Sequence, residues 1–181
     1  MAKPPGQGAW EWQSYLEFIK AYFKDRGISK PMIVEIGTRR NRQKVFYEQF
    51  LNATHIGIDA SPHFSKPDIL GDSRDPKTLK KLKSMLNGMA INLLFIDGDH
   101  SYETVKNDYE MYGPFVSHII ALHDICSPEY GVRKFWTQLT EDYTALSSKR
   151  SIRIGWAIGL IIVEGEKDIY EKHPHKGRYY L

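Results

Sequence analysis

An α/β fold, with a mostly parallel sheet between two layers of helices, is what the sequence predicts, and three observations predict it. Short apolar runs alternate along the chain with segments of helical periodicity. The first run, Met32 to Gly37, is broken by a single acid, which suits a strand buried on both faces. The last two runs, 151–156 and 159–164, are separated by only a short turn and should pair antiparallel.

The elements follow in order. Pro4, Pro5, Gly6 and Gly8 resist regular structure at the start. From Trp10 to Arg26, the residues Trp12, Tyr15, Leu16, Ile19 and Phe23 recur at three- and four-residue steps, and Gly27 is placed to end the helix they imply. This helix should cover a sheet edge or part of a binding mouth. After the strand at 32–37 come a helix from about Arg42 to Leu51, a strand at 55–59, a short one at 67–72 and a basic helix from Asp75 to Leu86. The clearest strand is 91–97. Ser101 then offers an N-cap for a helix that runs to Tyr112, and Gly113-Pro114 stops it. A fifth strand at 118–124 and a helix from Val132 to Leu146, with Phe135, Trp136 and Leu139 on one face, complete the series before the closing hairpin.

The chain has 181 residues, 41% of them apolar, with a mean hydropathy of −0.46. One domain is expected: an N-terminal arm and helix at 1–30, a core at 31–165 and a polar tail at 166–181. No apolar run approaches the ~20 residues of a spanning helix, and the N-terminus lacks the apolar segment of a signal peptide, so a cytoplasmic protein with no membrane association is expected. Cys126 is the one cysteine, which excludes an intramolecular disulfide and a cysteine-only metal site. The net charge of +3 divides unevenly: residues 1–90 carry 15 Lys/Arg against 9 Asp/Glu, and residues 91–181 carry 10 against 13. Arg39, Arg40, Arg42 and Lys44 account for much of the first imbalance, and Asp97, Asp99, Glu103, Asp108 and Glu110 for the second.

In a parallel sheet of this kind, ligands lie beyond the C-terminal strand ends, where the strand order reverses. Polar residues gather at those ends: Glu35 and Gly37 on the first strand, Asp59 on the second, Gly71-Asp72 on the third, Asp97-Gly98-Asp99-His100 on the fourth and His123-Asp124 on the fifth. This ordered set, and above all the phrase Phe95-Ile96-Asp97-Gly98-Asp99-His100-Ser101-Tyr102-Glu103 followed by Ala121-Leu122-His123-Asp124-Ile125, resembles the class I S-adenosylmethionine-dependent methyltransferases. The likeness is greatest to the small metal-dependent group of macrocin-type O-methyltransferases and cephalosporin hydroxylase-like proteins, and it runs from Met32 to about Glu164.

The resemblance implies a three-layer Rossmann-like sandwich with a mostly parallel seven-stranded sheet and a C-terminal antiparallel hairpin. It implies S-adenosylmethionine as cofactor, held by Glu35, Gly37, Thr38, Asp59, Asp72 and Asp97. Asp59 would accept the ribose hydroxyls, Asp72 would meet the adenine amino group, and Gly37 would let the backbone approach the methionine part. It further implies Mg²⁺ or Mn²⁺ at Asp97, His123 and Asp124, with His100 as the general base that takes a hydroxyl proton from a small-molecule acceptor. The chain departs from the pattern twice. The loop after Gly37 reads Thr-Arg-Arg-Asn-Arg-Gln where many members have further glycines, and His123 stands where an acid is usual.

Chemistry leaves several points open. A neutral imidazole titrates near pH 6.5 and can accept a proton, though His100 could simply begin a helix. Asp99 could orient its ring, and Tyr102 should pack on the cofactor or the sheet. Glu35 could instead pair with one of the arginines, Asp124 could cap a turn, and His123 could be a bonded core residue. Arg39, Arg40 and Arg42 could meet phosphate on a substrate or coat the start of a helix. His55 and His118 begin strands at the opposite edge, His63 lies in a loop able to reach an adenosine, and His173 and His175 fall in the tail.

The sequence lacks both GxGxxG and GxxxxGK[ST], which argues against a dehydrogenase and a nucleoside triphosphatase. One rival is a metal-dependent oxygenase or hydrolase with two histidines and a carboxylate. Another is a noncatalytic RNA-binding module using the arginines and the Lys77, Lys80, Lys81 and Lys83 helix; nucleic acid is not favoured, because those lysines follow a helix face without interleaved aromatics. The Tyr and Trp residues near the mouth suit a ring-shaped acceptor or the contact of a homodimer.

Overall fold

Strict alternation of side chains along four largely buried strands, joined by a two-residue fifth, builds the molecule. In the computed structural model, residues 7–63, 66–146, 150–155, 157–163 and 179–180 are described. Strands β1 (Met32–Ile36), β2 (Thr54–Asp59), β3 (Ile69–Leu70), β4 (Ile91–Ile96) and β5 (Val116–Leu122) are parallel neighbours where they pair. Ile33, Leu93, Phe95, Ile119 and Ala121 enter one core with helices α1 (Gln7–Asp25) and α2 (Arg42–Phe50). Val34, Ile36, Leu94, Ile96, Ile120 and Leu122 enter the other, against α3 (Pro76–Leu86), α4 (Tyr102–Tyr112) and α5 (Gly131–Leu146). Successive residues face opposite layers, so apolar side chains are needed at every position, and this is why the runs read as continuously hydrophobic.

Strand order is β3-β2-β1-β4-β5-β7-β6-β8, with β6 (Arg150–Ile154) and β7 (Ile158–Ile162) forming the expected antiparallel hairpin. The seven strands read from the sequence are present, and Tyr179–Tyr180 adds a two-residue strand beside β6. The remainder of the tail, with His173 and His175, lies outside the described residues. The order reverses between β1 and β4, both of which pair with strands running the same way.

Local signals stop the elements where they do. Asp75 accepts a hydrogen bond from the Lys77 N–H at 2.8 Å and Pro76 opens α3, while Ser101 caps α4 by accepting from the Thr104 N–H. The α1 face of Tyr15, Leu16, Ile19, Tyr22 and Phe23 is buried. Strand β5 ends at Leu122, two residues short of the 118–124 expected, so His123 and Asp124 are loop residues. No helix among the described residues is long and apolar enough to cross a membrane.

Candidate active site

The parallel ladder continues one residue past each strand, and that continuation sets the site. The Gly37 N–H donates to the Ile58 carbonyl at 2.9 Å, Asp97 N–H to Ile36 at 2.8 Å, His123 N–H to Ile96 at 3.1 Å and Gly71 N–H to Asp59 at 2.9 Å. Five strand ends are thereby held in register around one cavity of about 840 Å³. Gly37, Thr38, Asp59, Asp72, Asp97, Asp99, His100, His123 and Asp124 line it, together with Arg39, Arg40, Arg42 and Arg74. Gly37 has φ +89, and a Cβ there would meet the Asp97 carbonyl oxygen at 2.1 Å. Only glycine allows the loops after β1 and β4 to touch.

Asp59 is already engaged by its own loop. One oxygen accepts from the Arg39 N–H at 2.7 Å and the Thr38 hydroxyl at 3.4 Å, and the other accepts from the Ser61 N–H at 2.8 Å. A carboxylate has about four acceptor positions, so its outward lone pair stays available to a ligand hydroxyl. Asp72 is gripped by the Arg74 side chain at 2.7 and 3.0 Å, which holds its carboxyl below the usual range.

At the other end of the cavity two acids and two histidines converge. His100 Nε2 lies 3.2 Å from Asp124 Oδ2 and 3.6 Å from Asp97 Oδ1, and His123 Nδ1 lies 3.3 Å from each of those oxygens. Neither nitrogen makes an aligned hydrogen bond, and both are buried. Asp124 takes the left-handed φ of 59°, a conformation that costs a non-glycine residue energy and turns its carboxylate back onto this group. Contact with Asp124, then with Asp97, pushes His100 up to about 9. Burial works to lower His123, and contact with the same two acids outweighs it, pushing that group up to about 10.

The ligand atoms of Asp97, His100 and Asp124 all lie within 4.8 Å of one another, and His123 Nδ1 lies 3.3 Å from both acids, so His100 joins the Asp97, His123 and Asp124 set of the sequence reading. Trp12 of α1 stacks over His123 at 6.2 Å, which brings the N-terminal helix to the site as expected. Asp99 does not orient His100; its carboxylate accepts from the Ser101 N–H at 2.7 Å. Tyr102 packs on Phe135 of α5 and bonds Gln138.

Glu35 is placed differently from the expectation. Strand alternation puts it on the same layer as Ile33, where it is fully buried and outside the cavity wall. Its Oε2 meets His55 Nε2 at 2.8 Å, and burial, only partly offset by that contact, raises its pKa. Its partner is a histidine and not one of the arginines. His55 lies at the start of β2 as expected, where it is buried and stacks on Tyr47 at 5.6 Å. His63 is exposed and does not line the cavity. His118 meets Ser117 and Asn92, away from the site. Burial raises the Cys126 thiol, in keeping with an inert role.

Sequence reasoning missed Tyr130, whose ring lies parallel to His100 at 4.3 Å, and Asp108, a fully buried acid of α4 pushed up to about 6 by burial. A loop tyrosine carries no pattern, and Asp108 read only as one member of an acidic stretch.

No protein-family model matches the chain, and no curated protein matches it. Solved structures do. The MycE methyltransferase from the mycinamycin biosynthetic pathway, in complex with Mg, SAH and mycinamycin VI, matches with a TM-score of 0.58 at 14% identity over 80% of this chain and 48% of that one. The O-methyltransferase from Bacillus cereus in complex with SAH matches with a TM-score of 0.56 at 13% identity, covering 90% and 83%. The O-methyltransferase TomG from Streptomyces achromogenes, in complex with SAM, gives 0.52 at 13% identity, covering 91% and 92%. The chain spans about half the length of the MycE structure, and at these identities the likeness is one of fold.

Proposed function

We propose that this chain is an S-adenosylmethionine-dependent methyltransferase that transfers a methyl group to an oxygen of a small acceptor, assisted by a divalent cation. The carrying observation is one cavity at the sheet's switch point whose wall joins Asp59 and Gly37 at one end to Asp97, His100 and Asp124 at the other. Its volume is in the range of small-molecule sites. Neighbours of the same fold crystallised with SAH, SAM or Mg support the reading, as MycE with mycinamycin VI supports a small-molecule acceptor. The same reading includes a cytoplasmic location.

The donor set fits a hard divalent ion: two carboxylates and an imidazole converge, and the buried nitrogens of His100 and His123 lack aligned partners. Asp97 and Asp124 would hold it, with His123 Nδ1 beside them, which leaves His100 Nε2 to serve as the base. When bound there, such an ion would supply Lewis acidity that lowers the pKa of an acceptor hydroxyl. S-adenosylmethionine supplies the electrophilic methyl on its sulfonium.

The residues divide the remaining work. Asp59 accepts a ribose hydroxyl on its remaining lone pair, Asp72 faces the adenine end, and the Gly37–Thr38 backbone lines the methionine end. His100 takes the acceptor's proton on Nε2. That role requires Asp97 and Asp124 to be engaged elsewhere, because their contact is what holds the imidazole protonated at neutral pH. Arg39, Arg40 and Arg42 belong to this cavity wall.

Isothermal titration tests the reading: S-adenosylmethionine should bind, and Asp59→Ala should weaken it roughly 10- to 100-fold, the loss of one or two hydrogen bonds to a charged group. No heat at millimolar cofactor overturns it.

A further inference from the structure

The loop between β5 and α5 grips one residue from three sides. At its start, Asp124 meets the Nε2 edge of His100 at 3.2 Å. Two successive turns, Ser127 N–H to the Asp124 carbonyl at 3.1 Å and Tyr130 N–H to the Ser127 carbonyl at 3.3 Å, bring the chain back on itself. At its end, the Gly131 N–H donates to the His100 carbonyl at 2.8 Å. A Cβ on Gly131 would lie 2.1 Å from the Tyr102 nitrogen, so this approach of α5 to the start of α4 depends on glycine. Between these two attachments the Tyr130 ring covers the His100 imidazole, with centroids 4.3 Å apart and planes 12° apart. The other ring contacts at the site, Trp12 and Phe95 on His123, stand at 6.2 and 6.1 Å.

Tyr130 belongs to neither hydrophobic core and remains 38% exposed. Packing of the fold therefore does not account for it. We propose that Tyr130 is the positioning residue of the site, fixing the plane of His100 so that Nε2 faces the space between Asp97 and Asp124. An imidazole turns about its last side-chain bond through a broad range of angles unless something fixes its plane. Here the acids restrain one edge and the tyrosine restrains the face. Stacking supplies that restraint through shape, and the phenol oxygen is dispensable to it. The inference rests on the reading of His100 as the base of a methyl transfer, and its test needs no cofactor.

Histidine-ring NMR on the full chain provides that test. His100 ring protons should be shifted upfield by the overlying ring and should show nuclear Overhauser contacts to the Asp124 methylene. Tyr130→Phe should keep both. Tyr130→Ala should lose the ring shift, and the Asp124 contacts should fall at least twofold through averaging. Should Tyr130→Ala fail to fold, Tyr130→Leu, which fills the space without a planar face, carries the same expectation. Asp124 contacts of wild-type strength in the alanine or leucine variant overturn the proposal. Absence of S-adenosylmethionine binding by the wild type overturns the methyltransferase reading and leaves the NMR result to stand or fall separately.

Discussion

Replacing Gly37 with alanine should separate the two loops that carry the cofactor and cation ends of the cavity. The new Cβ would lie 2.1, 2.5 and 2.6 Å from the Asp97 oxygen, the Asp97 carbonyl carbon and the Gly98 Cα, all of them main-chain atoms that cannot rotate aside. Restoring ordinary contact requires a backbone shift of about 1 Å, with an overpacking cost of roughly 1–3 kcal/mol. The positive φ adds about 1–2 kcal/mol for any residue with a Cβ. The sum, about 2–5 kcal/mol, is a large share of the roughly 5–15 kcal/mol typical of a domain. At about 2–4 °C per kcal/mol for a chain of this size, Tm should fall by roughly 4–20 °C. Gly27→Ala is the control, since its φ is +67 and a Cβ there would meet nothing within 4 Å. It should lose only the conformational part. Urea unfolding and S-adenosylmethionine titration on both variants measure the difference. A Gly37→Ala protein as stable as Gly27→Ala, with unchanged cofactor affinity, would refute the close contact between the two loops.

Two predictions concern protons. Burial raises Asp108 from 3.8 to about 6, so its stabilising contribution is complete below pH 3.8 and is lost as pH rises through about 6. Asp108→Asn, which stays neutral, should gain stability relative to wild type across that window, by about 3 kcal/mol at most, and the gain should level off above pH 7. Urea midpoints between pH 4 and 8 measure it, and a difference independent of pH contradicts the burial argument. At the acidic end of the cavity, His100 and His123 are protonated at neutral pH, with pKa values of about 9 and 10. Mn²⁺ affinity should therefore rise with pH from 6 to 9, about tenfold per unit for each proton displaced. Calorimetry in buffers of different ionisation enthalpy reads the released protons, and a flat profile removes the histidines from the cation site.

Most of the fold was legible because it depends on local pattern. Continuous apolar runs mark doubly buried strands, Ser101 and Asp75 mark helix starts, and Gly113-Pro114 marks a stop. The clustering of Asp59, Asp72, Asp97 and Asp124 was legible for a related reason: a parallel sheet delivers all its strand ends to one edge. Glu35 was misplaced because its strand-end position suggested the cavity, while the side chain's layer is decided by counting along a strand whose partners are distant in sequence. His55, twenty residues away, waits in that layer.

By itself, then, the sequence determined the order of elements, the parallel arrangement and the edge at which chemistry occurs, because periodicity and capping act over a few residues. Only the tertiary structure decided which polar atoms meet. His100 joins Asp97 and Asp124, Tyr130 covers its ring, and Glu35 retires into the core with His55. Those choices come from register and loop closure, in which hydrogen bonds between separate strands set side-chain positions to within an ångström or so.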